Sequence, residues 1–356
     1  MKTAIIGLPM VGKTSLFTIL TGFHQEARMG STAVRTGVAH VPDVHVEALA
    51  NVFEPDKVTH AAVEYLDVPA VSKESLRDPA YVASLRLVEA LAHVVRAFED
   101  DTVPHEFTTV DPLRDIEHVD TELVLSDMVV VEKRLERLEK DRKKIKSADL
   151  DHEYEVLLKC KEALDGGHPL RQLELYGEEE KRVRGFGFLS QKPVLYVLNL
   201  GEADASRIHE REQEFRAKLT ERPHSAVTAI CGKVEAELAE LAPEDVPDYM
   251  ASYGIQESGL DRIIHATYTL LGLMSFYTGG ETEVRAWTIP INSTAVKAAG
   301  AIHSDFEKKF IRAEVVNWKV LVENNGYGGL REKGLLRLEG KEYVVQDGDV
   351  LIIRHG

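Results

Sequence analysis

The chain has 356 residues, 44% of them apolar and 29% charged, and a net charge of −16. That length argues for two or three domains rather than one core, and the acidic balance excludes wholesale coating of nucleic acid. No apolar run approaches the ~20 residues needed to cross a bilayer, and two cysteines, Cys160 and Cys231, exclude a disulfide framework.

The chain enters a strand at once, Ala4-Ile5-Ile6, with no charged leader, so a cytoplasmic location is expected. The strand runs into Gly7-Leu-Pro-Met-Val-Gly-Lys-Thr14, and helical spacing follows over 16–20. Glycine, four residues, then Gly-Lys-Thr between strand and helix is a phosphate cradle. Main-chain amides at the helix start point at phosphate oxygens. Lys13 reaches the β- and γ-phosphates, and the Thr14 hydroxyl ligates Mg²⁺. Gly7, Pro9, Met10, Val11, Gly12, Lys13, Thr14 and Ser15 are the candidate phosphate-binding residues.

A second strand, 63–67, ends in Asp67, where a carboxylate that supports Mg²⁺ belongs. A glycine whose amide meets the γ-phosphate is expected two residues later. Here Pro69 has no N–H to donate, and Ala70 lacks glycine's freedom. A third strand covers 91–98.

Between 111 and about 184 the composition turns to Glu, Lys, Arg and Leu. Met128, Val131, Leu135 and Leu138 recur at spacings of three, four and three, the seam of a coiled coil. Leu157 and Leu164 suit a returning helix, with Ser147-Ala148-Asp149 as the turn. The basic run 140–146 before that turn reads either as a solvated helix end favoured by the dipole or as a contact surface. Strands at 194–199 and 225–230 follow. Strands alternating with helices give a mostly parallel sheet that holds ligands at its strand C-termini. From 276 onward the style changes to strand 283–290, helical spacing over 295–310 and two short strands flanking the turn Gln346-Asp347-Gly348-Asp349. That is a small α+β module without an active-site pattern.

Beyond the phosphate loop, six further stretches carry a resemblance to a known family. They are "RAFEDDTVPH" (96–105), "VDPLRDIEHVDTELVLSD" (110–127), "NLGE" (199–202), "EVRAWTIP" (283–290), "AAGAIHSDFEKKFIRAEVV" (298–316) and "GKEYVVQDGDV" (340–350). On these the chain resembles, nearly end to end, the Obg-like ATPases, also called the YchF family, among the translation-factor-related P-loop NTPases. The resemblance implies a P-loop nucleotide-binding domain over 1–110 and 186–275. It further implies an inserted α-helical coiled-coil hairpin over 111–185 and a ubiquitin-like (TGS, β-grasp) α+β domain over 276–356.

The resemblance also frames the choice of base. Related GTPases carry Asn-Lys-x-Asp where this chain has Asn199-Leu-Gly-Glu202, and their Asp accepts two hydrogen bonds from guanine. Glu adds a methylene that moves the acceptors, and no Lys stem stacks on the base. The family's Asn-x-x-Glu signature implies ATP preferred over GTP, with Asn199, Leu200, Glu202, Cys231 and Gly232 around the base. The glutamine that positions water in related enzymes is replaced by an apolar residue, here Val71. By resemblance His105 takes over as general base or water positioner, a role suited to neutral imidazole.

Three departures from the family stand out. The stretch after Asp67 has no glycine over 71–83. Met10 replaces the loop's usual Asn, and a thioether offers no oxygen to a potassium ion, so no potassium activation is expected. The first switch, 29–36, offers Ser31, Thr32 and Thr36 as Mg²⁺ ligands, of which Thr32 is taken with Thr14 and Asp67 as the metal set. The expected protein is a slow, Mg²⁺-dependent ATPase and translation-linked switch without a membrane role. It would meet a ribosome or RNA through the TGS domain and the basic insert tip. The alternative is a nucleotide-gated binding protein with little or no hydrolysis, and a GTPase ranks below both.

Overall fold

A computed structural model describes residues 1–22, 34–219 and 222–356. In chain order it runs β1 (Lys2–Ile6), α1 (Lys13–Thr21), β2 (Arg35–His40), α2 (Val44–Phe53), β3 (Lys57–Thr59) and β4 (Ala62–Asp67). Then come α3 (Pro79–Arg86), β5 (Ala90–Ala97), α4 (Pro112–Lys144), α5 (Ala148–Asp165), β6 (Val194–Leu200) and β7 (Ser225–Ile230). The last strands are β8 (Leu273–Thr278), β9 (Glu283–Pro290), β10 (Phe310–Asn317), β11 (Arg337–Glu339) and β12 (Asp349–His355).

Two compact units result, residues 1–39 with 64–270, and residues 40–63 with 271–356. The first holds a sheet in the order β2-β4-β1-β5-β6-β7. β1 pairs in parallel with β4 and β5, β5 with β6, and β6 with β7. Strands β5 and β6 are apolar along nearly their whole length and buried, as a strand covered on both faces must be. The order puts the C-terminal ends of β1, β4, β5 and β6 side by side.

The insert is a long helical hairpin. Asp111 caps α4 by accepting from the Arg114 amide, and Pro112 occupies its first turn. Val131, Leu135 and Leu138 pack against Val156, Leu157, Cys160 and Leu164, with Met128 at the margin. Arg134 donates to both oxygens of Glu153 at 2.7 and 2.8 Å. The chain turns through 145–147, slightly earlier than the spacing suggested, because Ala148 already opens α5. At its base the hairpin is tied to the sheet by polar groups. Buried Arg171 donates to Asp120 and to the Tyr196 hydroxyl, and Arg222 donates to Asp120 at 2.9 Å. Asp127 accepts from the Leu189 and Ser190 amides at 2.9 and 2.7 Å, and burial pushes its carboxyl up to about 6.

The second unit has the strand order β9-β8-β12-β10-β11, with β3 added beside β9. Pairing is antiparallel for β8/β9, β10/β12 and β10/β11, and parallel for β12/β8. With helix Ala295–Ile302 packed on one face, this is the β-grasp arrangement. The sequence pattern starts this domain at 276 and places 40–63 in the nucleotide domain. The structure divides the chain differently. β3 pairs in parallel with β9, Lys57 beside Glu283, and the Thr59 hydroxyl donates to Glu283 at 2.6 Å. Tyr277 donates to Asp43 at 2.7 Å at the start of α2. These pairings recruit 40–63 into the second core. No described helix is long and apolar enough to cross a membrane.

Candidate nucleotide site

The phosphate loop follows from two local conformations. Gly7 has φ 144°, and a Cβ there would lie 2.5 Å from the Val94 carbonyl oxygen. Gly12 has φ 99° and directly precedes α1, and its Cβ would lie 2.6 Å from Asn199 Nδ2. Only glycine fits either place. Met10 also has positive φ, 59°, with its side chain 54% exposed.

The loop opens on a cavity of about 690 Å³. Met10, Gly12, Lys13, Thr14 and Ser15 line one part, and Asn199, Leu200, Glu202 and Gly232 line another. Gly7, Pro9, Val11 and Cys231 are not among the residues that line it. Cys231 is buried, and burial raises its thiol.

At the phosphate end Lys13 is 8% exposed and donates to the Leu8 carbonyl at 2.6 Å. Burial lowers its ammonium to about 8, against an attraction to Asp67 that pulls the other way. Asp67 closes β4 level with Ile5 of β1. It is 5% exposed, and its Oδ2 accepts from the Thr14 hydroxyl at 3.1 Å and from Arg35. A hydroxyl and a carboxylate oxygen so close form a hard-oxygen pair of the kind Mg²⁺ takes, and the Arg35 cation on the same carboxylate marks a place for positive charge. The residues therefore fit the metal. Of the first-switch candidates, Thr36 is exposed on β2, while Ser31 and Thr32 lie outside the described residues.

Past Asp67 the chain is fastened. The buried Val71 donates its amide to the Gly7 carbonyl at 3.2 Å, and the Tyr81 hydroxyl donates to the Pro69 carbonyl at 3.2 Å.

At the other end Asn199 bridges two loops. Its Nδ2 donates to the Val11 carbonyl and its Oδ1 accepts from the Gly232 amide, both at 3.0 Å. Glu202 is already engaged, since Oε2 accepts from Lys233 and Oε1 from the Tyr253 hydroxyl at 3.0 Å. The Lys233 contact, then the Tyr253 one, holds this carboxyl below its usual range.

His105 does not reach the cavity. Its side chain is 6% exposed. Nδ1 accepts from the Phe107 amide at 3.1 Å, which puts the ring proton on Nε2, and Nε2 donates to Asp115 at 2.9 Å. Both ring nitrogens are occupied, so neither can accept a proton from water in this conformation.

Sequence reasoning missed the loop after β5. Phe98, Glu99, Asp100 and Val103 line the cavity. Buried Arg96 shapes that loop by donating to the carbonyls of Phe98, Asp100, Val103 and Pro104 at 2.9–3.2 Å. The stretch "RAFEDDTVPH" contained all of them, yet only its likeness to the family was legible, because a guanidinium serving four carbonyls leaves no pattern in spacing.

The protein named "Ribosome-binding ATPase YchF" of Bacillus subtilis (strain 168) is 40% identical over 362 residues, covering 99% of each chain. The chain belongs to the YchF family. The like-named protein of Escherichia coli O157:H7 is 38% identical, covering 98% of each. A solved YchF structure, "Structure of the Schizosaccharomyces pombe YchF GTPase", superposes with a TM-score of 0.84 at 27% identity, over 99% of this chain and 97% of that one. The family model YchF-GTPase_C, described as "Protein of unknown function (DUF933)", matches residues 273–356. The P-loop NTPase fold with a helical insert and a YchF-type C-terminal domain is thus common to this chain and its relatives.

Proposed function

We propose that this YchF protein is a Mg²⁺-dependent, slow ATPase that prefers ATP to GTP and acts as a ribosome-linked switch in the cytoplasm. One observation carries the reading: a single cavity joins the phosphate loop to the Asn199–Glu202 stretch. The amides of 7–15, Lys13 and the start of α1 bind the β- and γ-phosphates. Mg²⁺, held by Thr14 with Asp67 behind it and by Thr32, would neutralise charge on those phosphates. Leu200 and Gly232 flank the base, while Asn199 keeps the base loop and phosphate loop in register.

The preference for ATP rests on Glu202. A guanine-reading carboxylate needs free oxygens for two base N–H donors, and here Lys233 and Tyr253 already donate to them. Guanine has to displace a cation to be read. No potassium activation is expected with Met10 in the loop. The curated relatives are named ribosome-binding. A ribosomal or RNA contact through the TGS domain and through Lys140, Arg142, Lys143, Lys144 and Lys146 extends that name to this chain.

A second reading is nucleotide-gated binding with little hydrolysis. It is favoured by the fastening of Pro69 and Val71 and by the engagement of His105 with Asp115. Single-turnover hydrolysis of ATP and GTP, with affinities for both, on wild type, Lys13→Ala and His105→Ala separates the two. Slow ATP cleavage lost in both variants supports the switch enzyme with His105 as base. Tight ATP binding without cleavage supports the second reading.

A further inference from the structure

We propose that Arg35 is a built-in counter-cation for Asp67 which a Mg²⁺ ion would have to displace, so that metal loading competes with the Arg35–Asp67 ion pair. The inference rests on the reading of Asp67 as the metal-supporting carboxylate.

The geometry comes first. Asp67 is nearly buried, and a buried carboxylate needs a partner charge. Lys13 is not its direct partner, since Lys13 donates to the Leu8 carbonyl. Arg35 is: its guanidinium donates to Oδ2, the same oxygen that accepts from Thr14, and the side chain is only 21% exposed. The guanidinium also lies 5.4 Å from the centre of the Phe17 ring on α1, within cation–π range. It is therefore seated between α1 and the end of β4.

Electrostatics then make the two cations exclusive. Arginine stays charged at every working pH and cannot leave by losing its proton. A Mg²⁺ ion held by Thr14 and supported by Asp67 would bring a second positive charge against the guanidinium already seated on that carboxylate. Without metal, Arg35 neutralises Asp67 and removes a repulsion that the nucleotide phosphates would otherwise meet. With metal, the guanidinium has to withdraw, and Arg35 is the first residue of β2, the edge strand beside β4. The outcome is a site whose nucleotide affinity depends weakly on Mg²⁺ and whose metal affinity is held down.

The test uses fluorescent ADP and ATP titrated into the full chain, in EDTA and across a Mg²⁺ series, for wild type, Arg35→Met and Arg35→Lys. Arg35→Met keeps a side-chain stem against Phe17 without charge, and a circular-dichroism melt checks its fold. The expected result is that Arg35→Met weakens metal-free binding by about tenfold while lowering the half-saturating Mg²⁺ about tenfold, the scale of losing one charge-assisted hydrogen bond. Arg35→Lys should stay close to wild type in both. Equal weakening with and without Mg²⁺ would mean that Arg35 holds phosphate, and it would overturn the inference. An unchanged or raised Mg²⁺ midpoint, or an unfolded Arg35→Met beside an Arg35→Lys that loses its metal dependence, would overturn it too. A wild type that binds no nucleotide under any condition removes the reading of the site itself, and this inference with it.

Discussion

Replacing Asn199 by alanine tests whether one side chain holds the two ends of the cavity together. The side chain is 8% exposed and makes two hydrogen bonds of 3.0 Å, to the Val11 carbonyl and from the Gly232 amide. Each such bond contributes about 0.5–1.5 kcal/mol net, and a stranded buried partner adds about 1–3 kcal/mol. Water from the adjoining cavity reaches both stranded groups, so the total loss of stability should be about 2–3 kcal/mol, a large part of the ~5–15 kcal/mol that holds an ordinary domain folded. Because Val11 and Gly12 form the phosphate loop, nucleotide affinity should fall as well, by about 10- to 100-fold. Asn199→Asp sharpens the test. The carboxylate still accepts from Gly232, but it cannot donate to Val11 and sets negative charge against a carbonyl, so it should do no better than alanine. Urea denaturation gives the stability, and titration with a fluorescent nucleotide gives the affinity. The reasoning fails if Asn199→Ala loses less than about 0.5 kcal/mol and binds nucleotide within a factor of about two of wild type, or if Asn199→Asp matches wild type.

Three further outcomes follow from the same geometry. Lys233→Met should shift the ATP-to-GTP affinity ratio toward GTP by about two- to fivefold, the scale of an exposed ion pair, and isothermal titration with both nucleotides reads it; no shift would mean that Glu202 takes no part in base choice. Burial lowers Lys13 to about 8 from 10.5. The unfolded chain then binds more protons between those values, so this group adds stability as pH rises from about 8 toward 10.5. ATP binding needs the charged ammonium, so affinity should drop by up to about tenfold per pH unit above that point, with proton uptake measurable by calorimetry in two buffers; a flat profile up to pH ~9.5 contradicts it. His105→Ala should cost about 1–2 kcal/mol through the lost contacts to Asp115 and Phe107, with Arg114 still donating to Asp115, and denaturant midpoints measure it; an unchanged midpoint would mean that the histidine is not held there.

Much of the molecule was legible locally. The glycines at 7 and 12 sit where the backbone needs positive φ, so spacing alone revealed the loop. Asp111-Pro112 opens α4 by chemistry confined to one turn, and the seam of Val131, Leu135 and Leu138 repeats at helical spacing because a hairpin buries one stripe. These features depend on neighbours within a few residues, and a sequence records such neighbours. Other features depend on partners far along the chain. Three residues of β3 have no periodicity of their own, and their place in the second unit is fixed by β9, more than two hundred residues away. Arg35 meets Asp67, His105 is held by Asp115 on α4, and Lys233 and Tyr253 take up the oxygens of Glu202. In each case the residue type announced a capacity for charge or hydrogen bonding. Which partner satisfied it was decided only when the sheet order brought the strand ends together, because charged and polar groups, buried like Asp67 or exposed like Glu202, pair with whatever the fold places within reach.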